Sequence, residues 1–358
     1  MIKNICKQLS AFKRLIVNPT SFQSNAKIIN WAAKTPQRSS FYYFYFSRKF
    51  SREQQSVLCG IKSHITHDDN SLAIVSNLRR NLHRIEKGLT TYTLKPVFGK
   101  EYILETVLLL QKFSENYNDE CTIRWAIDVL TKYFSVVTKE NEIASAEEQF
   151  VELKNQQSLI KQSSGENYCG PYKQKEINSS SITHEDFMNL CHQRHSIRWY
   201  EQKSVPVNMV EQAIDSALLA PSACNRQPFR FVLIKSSEKL EHALKIPNGC
   251  ATFSNNITLL VALIGDLSAY FDERDRHLIY IDGGLAAMNF MLSLETMGLS
   301  SCPINWPDLD EKKEAASTLF NMKIHEQGIM FFSVGYPLMN GGVAFSARKQ
   351  MNQVTTII

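Results

Sequence analysis

The chain has 358 residues, 44% hydrophobic and 21% charged. That length suits about two domains at roughly 150 residues each, and the composition excludes wholesale disorder or a fibrous repeat. No run approaches the roughly 18 consecutive apolar residues of a membrane span; residues 257–264 and 41–46 come nearest. The eight cysteines (6, 59, 121, 169, 191, 224, 250, 302) are scattered and form no C-x-x-C pair, which argues against a zinc site or a thioredoxin-type motif. No apolar segment with a small-residue cleavage site opens the chain, so reduced thiols and a cytoplasmic location are expected.

The net charge of +5 is unevenly spread. Residues 1–52 hold ten Lys/Arg and no Asp or Glu, which leaves 30 basic and 35 acidic side chains for the rest. Such an arm can bind an anionic membrane or acidic polymer, act as a transit peptide, or remain solvated. Lys3, Lys7, Lys13 and Arg14 interleave with Ile2, Ile5, Leu9, Phe12 and Ile16, a loosely amphipathic pattern that permits peripheral membrane contact.

Residues 50–155 read as helical. Leu72, Val75, Leu78, Leu82, Ile85 and Leu89 recur every three or four positions, with Asp68, Asp69 or Asn70 to cap the start and Gly88 to end the helix. Its other faces carry Arg79, Arg80, His83, Arg84 and Lys87, a basic surface that suits solvation, docking on an acidic surface of the second domain, or binding an anionic substrate. Residues 101–113, 119–134 and 142–153 are further helices. The stretch 155–185 is polar, rich in Ser, Gln, Asn and Lys, with a Gly170-Pro171 turn. The expected division is a basic arm 1–52, a helical domain 53–160, a linker 161–185 and a second domain 186–358.

That second domain mixes helices and strands, so the fold class is α+β. Residues 207–219 form an amphipathic helix stopped by Pro221. Residues 229–234, 257–264 and 328–334 are buried strands. Residues 278–297 form a helix apolar almost all round, suited to a core or a subunit interface; 308–320 form a surface helix. The tail 354–358 is β-prone and can extend a sheet edge, its own or a partner's. No G-x-G-x-x-G occurs, so side chains must hold any nucleotide phosphate.

Four segments carry chemistry. Arg194-His195-Ser196-Ile197-Arg198 places two guanidiniums and a hydroxyl at alternate positions, which suits a phosphate monoester and equally a solvated basic turn. Ala220 to Phe229 reads Ala-Pro-Ser-Ala-Cys-Asn-Arg-Gln-Pro-Phe, a rigid loop that can offer its backbone to a flat ligand. Gly298-Leu299-Ser300-Ser301-Cys302-Pro303-Ile304-Asn305-Trp306 reads as a loop leaving the apolar helix, or as its C-cap. Phe345-Ser346-Ala347-Arg348 follows the last strand and a glycine pair, and Arg348 can close on the same anion.

In this order and spacing the four segments resemble the nitroreductase family of FMN enzymes. The family's R-x-S-x-R/K is met by Arg194, Ser196 and Arg198; its P-S-x-x-N-x-Q-P-[WF] by Pro221, Ser222, Asn225, Gln227, Pro228 and Phe229; its G-L-x-x-[CP]-P-I by Gly298, Leu299, Cys302, Pro303 and Ile304; its late basic residue by Arg348. The resemblance covers residues 187–358. The segment from Arg79 to Leu89, with Pro96-Val97-Phe98-Gly99 after it, resembles long nitroreductase-like proteins that accompany bacterial surface-polysaccharide genes.

The resemblance implies a nitroreductase-like central sheet flanked by helices, a homodimer, FMN, and NADH or NADPH as reductant. It implies that Arg194, Ser196, Arg198 and Arg348 hold the FMN phosphate, with His195 inside the motif. Pro221, Ser222, Ala223 and Asn225, with Gln227 in the same motif, would reach the flavin of the partner subunit. Pro303, Ile304 and Asn305 would line the isoalloxazine, the Asn305 N–H near N5, and Phe271 would act as a lid on the substrate pocket. Two departures weaken this set: Ser346 stands where the family often has Lys, and Asn248-Gly249-Cys250 occupies a region where many members carry a lysine.

Other residues are read as structural. His64 and His67 have metal-like spacing without a third ligand, so no metal is expected. Cys302 is read as a small packed hydrophobe rather than a reactive thiol. No residue is nominated as catalytic, because the cofactor carries the chemistry. The expected function is a ping-pong FMN oxidoreductase with a small-molecule acceptor and no nucleic-acid partner. The alternatives are a flavin oxidase or dehydrogenase acting on a sugar or peptide intermediate, and a non-catalytic flavin-stabilised dimer recruited through the basic arm.

Overall fold

The computed structural model describes residues 22–66, 72–155, 168–235 and 237–358. Contacts group the chain into Met1–Gln55 and Ser56–Ile358, and each is taken by itself.

In the first group, residues read above as part of a basic arm carry α1 (Phe22–Ala32) and α2 (Pro36–Tyr42). Thr35 caps α2 by accepting the Arg38 N–H, and Pro36 at the first position gives up no needed donor. A wider π-type turn, Tyr43–Ser47, follows and ends at Arg48 in the left-handed region. Phe41 stacks on Tyr45 at 5.7 Å, and Tyr43 packs on Phe50 at 4.2 Å. Lys3, Lys7, Lys13 and Arg14 lie outside the described residues.

The second group begins within α3 (Ser51–Thr66) and continues with α4 (Leu72–Leu89), α5 (Ile103–Asn116), α6 (Glu120–Val136) and α7 (Asn141–Lys154). The helical period of α4 delivers Leu78, Leu82 and Ile85 into a core with Ile103, Leu110, Ile123, Leu130 and Tyr133. Asp119 caps α6 by accepting the Thr122 N–H. Gly88 does not end α4, which runs on to Leu89; a Cβ at Gly88 would sit 2.2 Å from the Phe98 ring, so the glycine is there for clearance. Asp68, Asp69, Asn70 and His67 fall outside the described residues.

After the polar stretch, α8 (His184–Gln193) and α9 (Val207–Leu218) lead into a four-stranded antiparallel sheet. Its strands are β1 (Phe229–Ile234), β2 (Leu259–Asp266), β3 (Ser300–Asn305) and β4 (Glu326–Gly335), in the order β1-β2-β4-β3. Between them lie α10 (Ser237–Ala243), α11 (Leu278–Thr296) and α12 (Asp310–Phe320). The alternation of side chains along β2 explains its unbroken apolar run. Leu259, Val261 and Leu263 pack with Val210 of α9 and Phe290 of α11; Leu260, Ala262 and Ile264 pack with Ala243 of α10 and Phe320 of α12. Helices thus cover both faces, and neither face of β2 meets water.

One expectation needs correction. Residues 300–305 are not a loop: they form edge strand β3, with Cys302 opposite Ser333 and Pro303 opposite Phe332. Their serines and proline read as turn chemistry, but β4 offers a template, and an edge strand tolerates a proline. The C-cap part of the reading is correct. Gly298, at φ +73, takes the left-handed position after α11, and the N–H groups of Gly298 and Leu299 return to the carbonyls of Glu295 and Leu294. The tail 354–358 forms no strand within this chain and is exposed.

Candidate active site

A cleft of about 320 Å³ brings together Arg194, His195, Ser196, Arg198, Pro303 and Arg348, with Met288, Met291, Ala344 and Ser346 completing its wall. Four chain segments far apart in sequence meet here, and local contacts hold them. The stretch after α8 is held to β3 by a parallel bridge, Ser196 to Ser301, and by the Ile197 N–H on the Ser301 carbonyl at 3.1 Å. It is locked on its other side by Tyr200, fully buried, whose hydroxyl donates to the Ile197 carbonyl at 2.5 Å and lies 2.8 Å from Ser333 Oγ. The arm after β4 returns past Trp199, where the Leu338 N–H meets the Trp199 carbonyl at 2.9 Å.

The electrostatics of the cleft are one-sided. No carboxylate lines it, and among the described residues none of the guanidiniums of Arg194, Arg198 and Arg348 forms an ion pair. The nearby Glu295 is buried behind the wall. Burial raises its carboxyl above the ordinary range, against bonds from Ser300 and Gln193 and the field of Arg194. Three uncompensated guanidiniums around a serine make an anion site. His195 joins the wall while its Nδ1 lies 3.0 Å from the Gln193 carbonyl oxygen.

The edge strand contributes unequally. The Pro303 ring is exposed to the cleft and Asn305 is exposed, but the Ile304 side chain packs into the core beneath α12. Only the Ile304 backbone remains for a ligand. Cys302 is likewise buried, and burial pushes its thiol up, which suits a packed side chain. Met288 and Met291 were not singled out from sequence. Their signal was the apolar all-round character of α11, which leaves Ile281, Leu285 and Met288 exposed along one face.

The loop from Pro221 to Gln227 does not line this cleft. Cys224, Asn225 and Gln227 have φ of 54°, 53° and 51°, a region that costs residues other than glycine of order 1 kcal/mol or more each. A net of bonds holds the strain. The Ala223 N–H donates to buried Asp282 of α11 at 3.0 Å, the Gln227 N–H to Ser222 Oγ at 3.2 Å, and Gln227 Nε2 to Asn225 Oδ1 at 2.8 Å. From α4, Arg79 Nε donates to the Asn225 carbonyl at 2.8 Å.

Phe271 also stands apart from the cleft. Its ring lies between Arg80, 4.9 Å from the centroid, and Arg274, at 5.3 Å. His64 is buried; its Nδ1 is 2.8 Å from the Ser268 carbonyl oxygen and its Nε2 3.1 Å from Asn77 Oδ1. It serves the packing of α3 against residues 267–270, where Gly60 comes so close that a Cβ would lie 2.8 Å from the Leu267 backbone.

Comparison with known proteins finds similarity in the second half of the chain. Residues 192–254 and 247–336 match the family model described as the Nitroreductase family. A provisionally named NADH dehydrogenase/NAD(P)H nitroreductase of Methanothermobacter thermautotrophicus is 24% identical over 162 residues, 45% of this chain and 82% of the relative. Human iodotyrosine deiodinase 1 is 21% identical over 219 residues, 52% of this chain and 72% of the relative. Among solved structures, an FMN-dependent nitroreductase from Clostridium difficile covers 47% of this chain and 98% of its own at 21% identity, with a TM-score of 0.41. The match to the Nitroreductase family spans residues 192–336, and helices α1–α7 precede it in the chain.

Proposed function

We propose that this protein is an FMN-dependent oxidoreductase. NADH or NADPH reduces the flavin, and a small-molecule acceptor then takes the electrons at the same site. The observation that carries the reading is the cleft itself. Its unpaired guanidiniums fit a phosphate monoester, and Pro303, Met288 and Met291 supply an apolar wall beside them. When bound, FMN supplies the hydride and electron-transfer chemistry. Arg194, Arg198 and Arg348 hold the phosphate charge, with Ser196 as a hydroxyl partner. Pro303, Ile304 and Asn305 orient the ring through an edge strand whose outer side has no strand partner beyond the Ser196 bridge among the described residues. That no carboxylate lines the cleft is consistent with two half-reactions that need no dedicated acid or base.

The exposed apolar face of α11 supports a homodimer, in which Pro221, Ser222, Ala223 and Asn225 reach the partner's flavin. Residues 1–52, basic and free of acids, suit peripheral contact with an anionic membrane or polymer surface. Deleting them should abolish such recruitment and spare reductase activity.

The test is a visible spectrum of the purified protein, repeated after anaerobic addition of NADH or NADPH. A two-band flavin spectrum that bleaches supports the reading. Flavin that neither nicotinamide bleaches would favour an oxidase or a dimer module. A protein that does not retain added FMN would remove the reading altogether.

A further inference from the structure

We propose that Arg80 and Arg84 of α4 form an anion subsite beside the Pro221–Gln227 loop, which binds the carboxylate or phosphate of a small electron acceptor. The two residues are four apart and share a helix face. Each guanidinium lies over an aromatic ring, Arg84 at 3.6 Å from the Tyr102 centroid and Arg80 at 4.9 Å from that of Phe271. Both are half-buried, and neither has an ion pair or hydrogen bond among the described residues.

Like charges on one face repel, and a third guanidinium adds to them. Arg226 is 4% exposed, its Nε has no hydrogen-bond partner among the described residues, and the Asp275 carboxylate oxygen is 3.9 Å from its Nη1. The neighbouring Tyr270 hydroxyl is also buried without a partner. Burial, then the fields of Arg84 and Arg226, pull the Arg80 guanidinium below its usual range, with only Glu105 and Cys224 opposing. Glu105 is already engaged, accepting from Asn81 Nδ2 at 3.1 Å. Asp275 is shared between Arg226 and Arg274, the latter at 4.0 Å. Half-buried Arg80 and Arg84, without an ion pair among the described residues and beside the orphaned donors of Arg226 and Tyr270, are what an anion would satisfy.

The position gives the anion a purpose. Arg79, the preceding residue, is bonded to the Asn225 carbonyl, so α4 is fixed against the strained loop. Assigning the bound anion to an acceptor rests on the proposed function, which puts that loop at a flavin. The anion subsite itself rests on the arginines alone.

The test is calorimetric titration of the flavin-loaded dimer with three probes: 4-nitrobenzoate, 4-nitrophenyl phosphate and uncharged 4-nitrobenzyl alcohol. The protein should bind at least one anion about tenfold more tightly than the alcohol, the value of one charge-assisted contact. R80Q and R84Q should each collapse that ratio towards one, and K87Q, an exposed charge on the same helix, should leave it intact. Circular dichroism confirms that the variants fold, and two separate substitutions guard against one failing. Equal binding of all three probes, or an equal loss in K87Q, would overturn the proposal. Anion binding that depends on Arg80 and Arg84, in a protein whose flavin is not reoxidised by the bound nitro compound, would uphold the subsite and count against the reductase reading.

Discussion

Arg79 donates through Nε to the Asn225 carbonyl at 2.8 Å and through Nη1 to Thr122 Oγ1 at 3.0 Å, with its guanidinium 5.4 Å from the Trp125 ring centroid. One side chain therefore joins α4, the start of α6 and the strained Pro221–Gln227 loop. Burial lowers its pKa, against the field of Asp119, but a guanidinium stays charged. Arg79→Met should cost about 1.5–3 kcal/mol, the range for a hydrogen bond from a charged group. Thermal unfolding measures that loss. Hydrogen exchange should rise in residues 222–227 and not in β2; a uniform rise would show that Arg79 does not act on the loop.

The cleft makes a sharper prediction. Arg198→Gln and Arg348→Gln should each weaken FMN binding by roughly 10- to 100-fold, from 1.5–3 kcal/mol per charged hydrogen bond. Riboflavin, which lacks the phosphate, should bind parent and variants alike. If riboflavin affinity fell in step with FMN affinity, the arginines would be holding the fold and not the phosphate. Raising the salt concentration should narrow the gap between parent and variants.

Gly328 lies where β4 meets Trp306, and a Cβ there would sit 2.0 Å from the indole. Trp306 in turn stacks on Phe331 at 4.0 Å. Gly328→Ala should destabilise by about 1–3 kcal/mol through overpacking. The double variant Gly328→Ala with Trp306→Leu should recover part of the loss in a denaturant titration, because the clash is with that ring.

Glu295 gives a pH dependence with a definite sign. Its carboxyl is raised on folding by burial, with Ser300, Gln193 and Arg194 only partly opposing. The native state therefore favours the protonated form, and stability falls as pH rises through the folded pKa. Glu295→Gln removes that loss. The variant should melt above the parent at about pH 8, and the two should converge near pH 4. A difference that stayed constant over the range would show that Glu295 does not titrate between the two states.

The elements were legible where a period was strong and uncontested. The spacing of Leu78, Leu82 and Ile85 located α4, and the apolar run of β2 located the sheet centre. Gly298 marked a helix end because its cap is local chemistry. Ser300–Asn305 was not legible as a strand: nothing in its residues favours one, and only pairing with β4 makes it so. Residues 354–358, β-prone by type, form no strand within this chain for the same reason, since β propensity without a paired edge forms none.

For the site, residue types were readable and their company was not. Arg194, Ser196, Arg198 and Arg348 stood out as a set only because the four segments together resemble the nitroreductase motifs; the residues alone left a solvated basic turn open. That they share one cleft with no carboxylate was decided by the bridge from Ser196 to Ser301 and the return of the chain past Trp199. The face of α4 that carries Arg79, Arg80 and Arg84 left three readings open: a solvated face, docking on the second domain, or binding an anionic substrate. Charge along a helix can be counted from residues, but whether water, a carboxylate or a strained loop faces each charge depends on contacts 146 residues away, as between Arg79 and Asn225. Sequence determined which groups this protein can bring to a flavin and an acceptor. The tertiary structure decided which of them stand together without a counter-charge, because desolvation and Coulomb energies depend on distances through space.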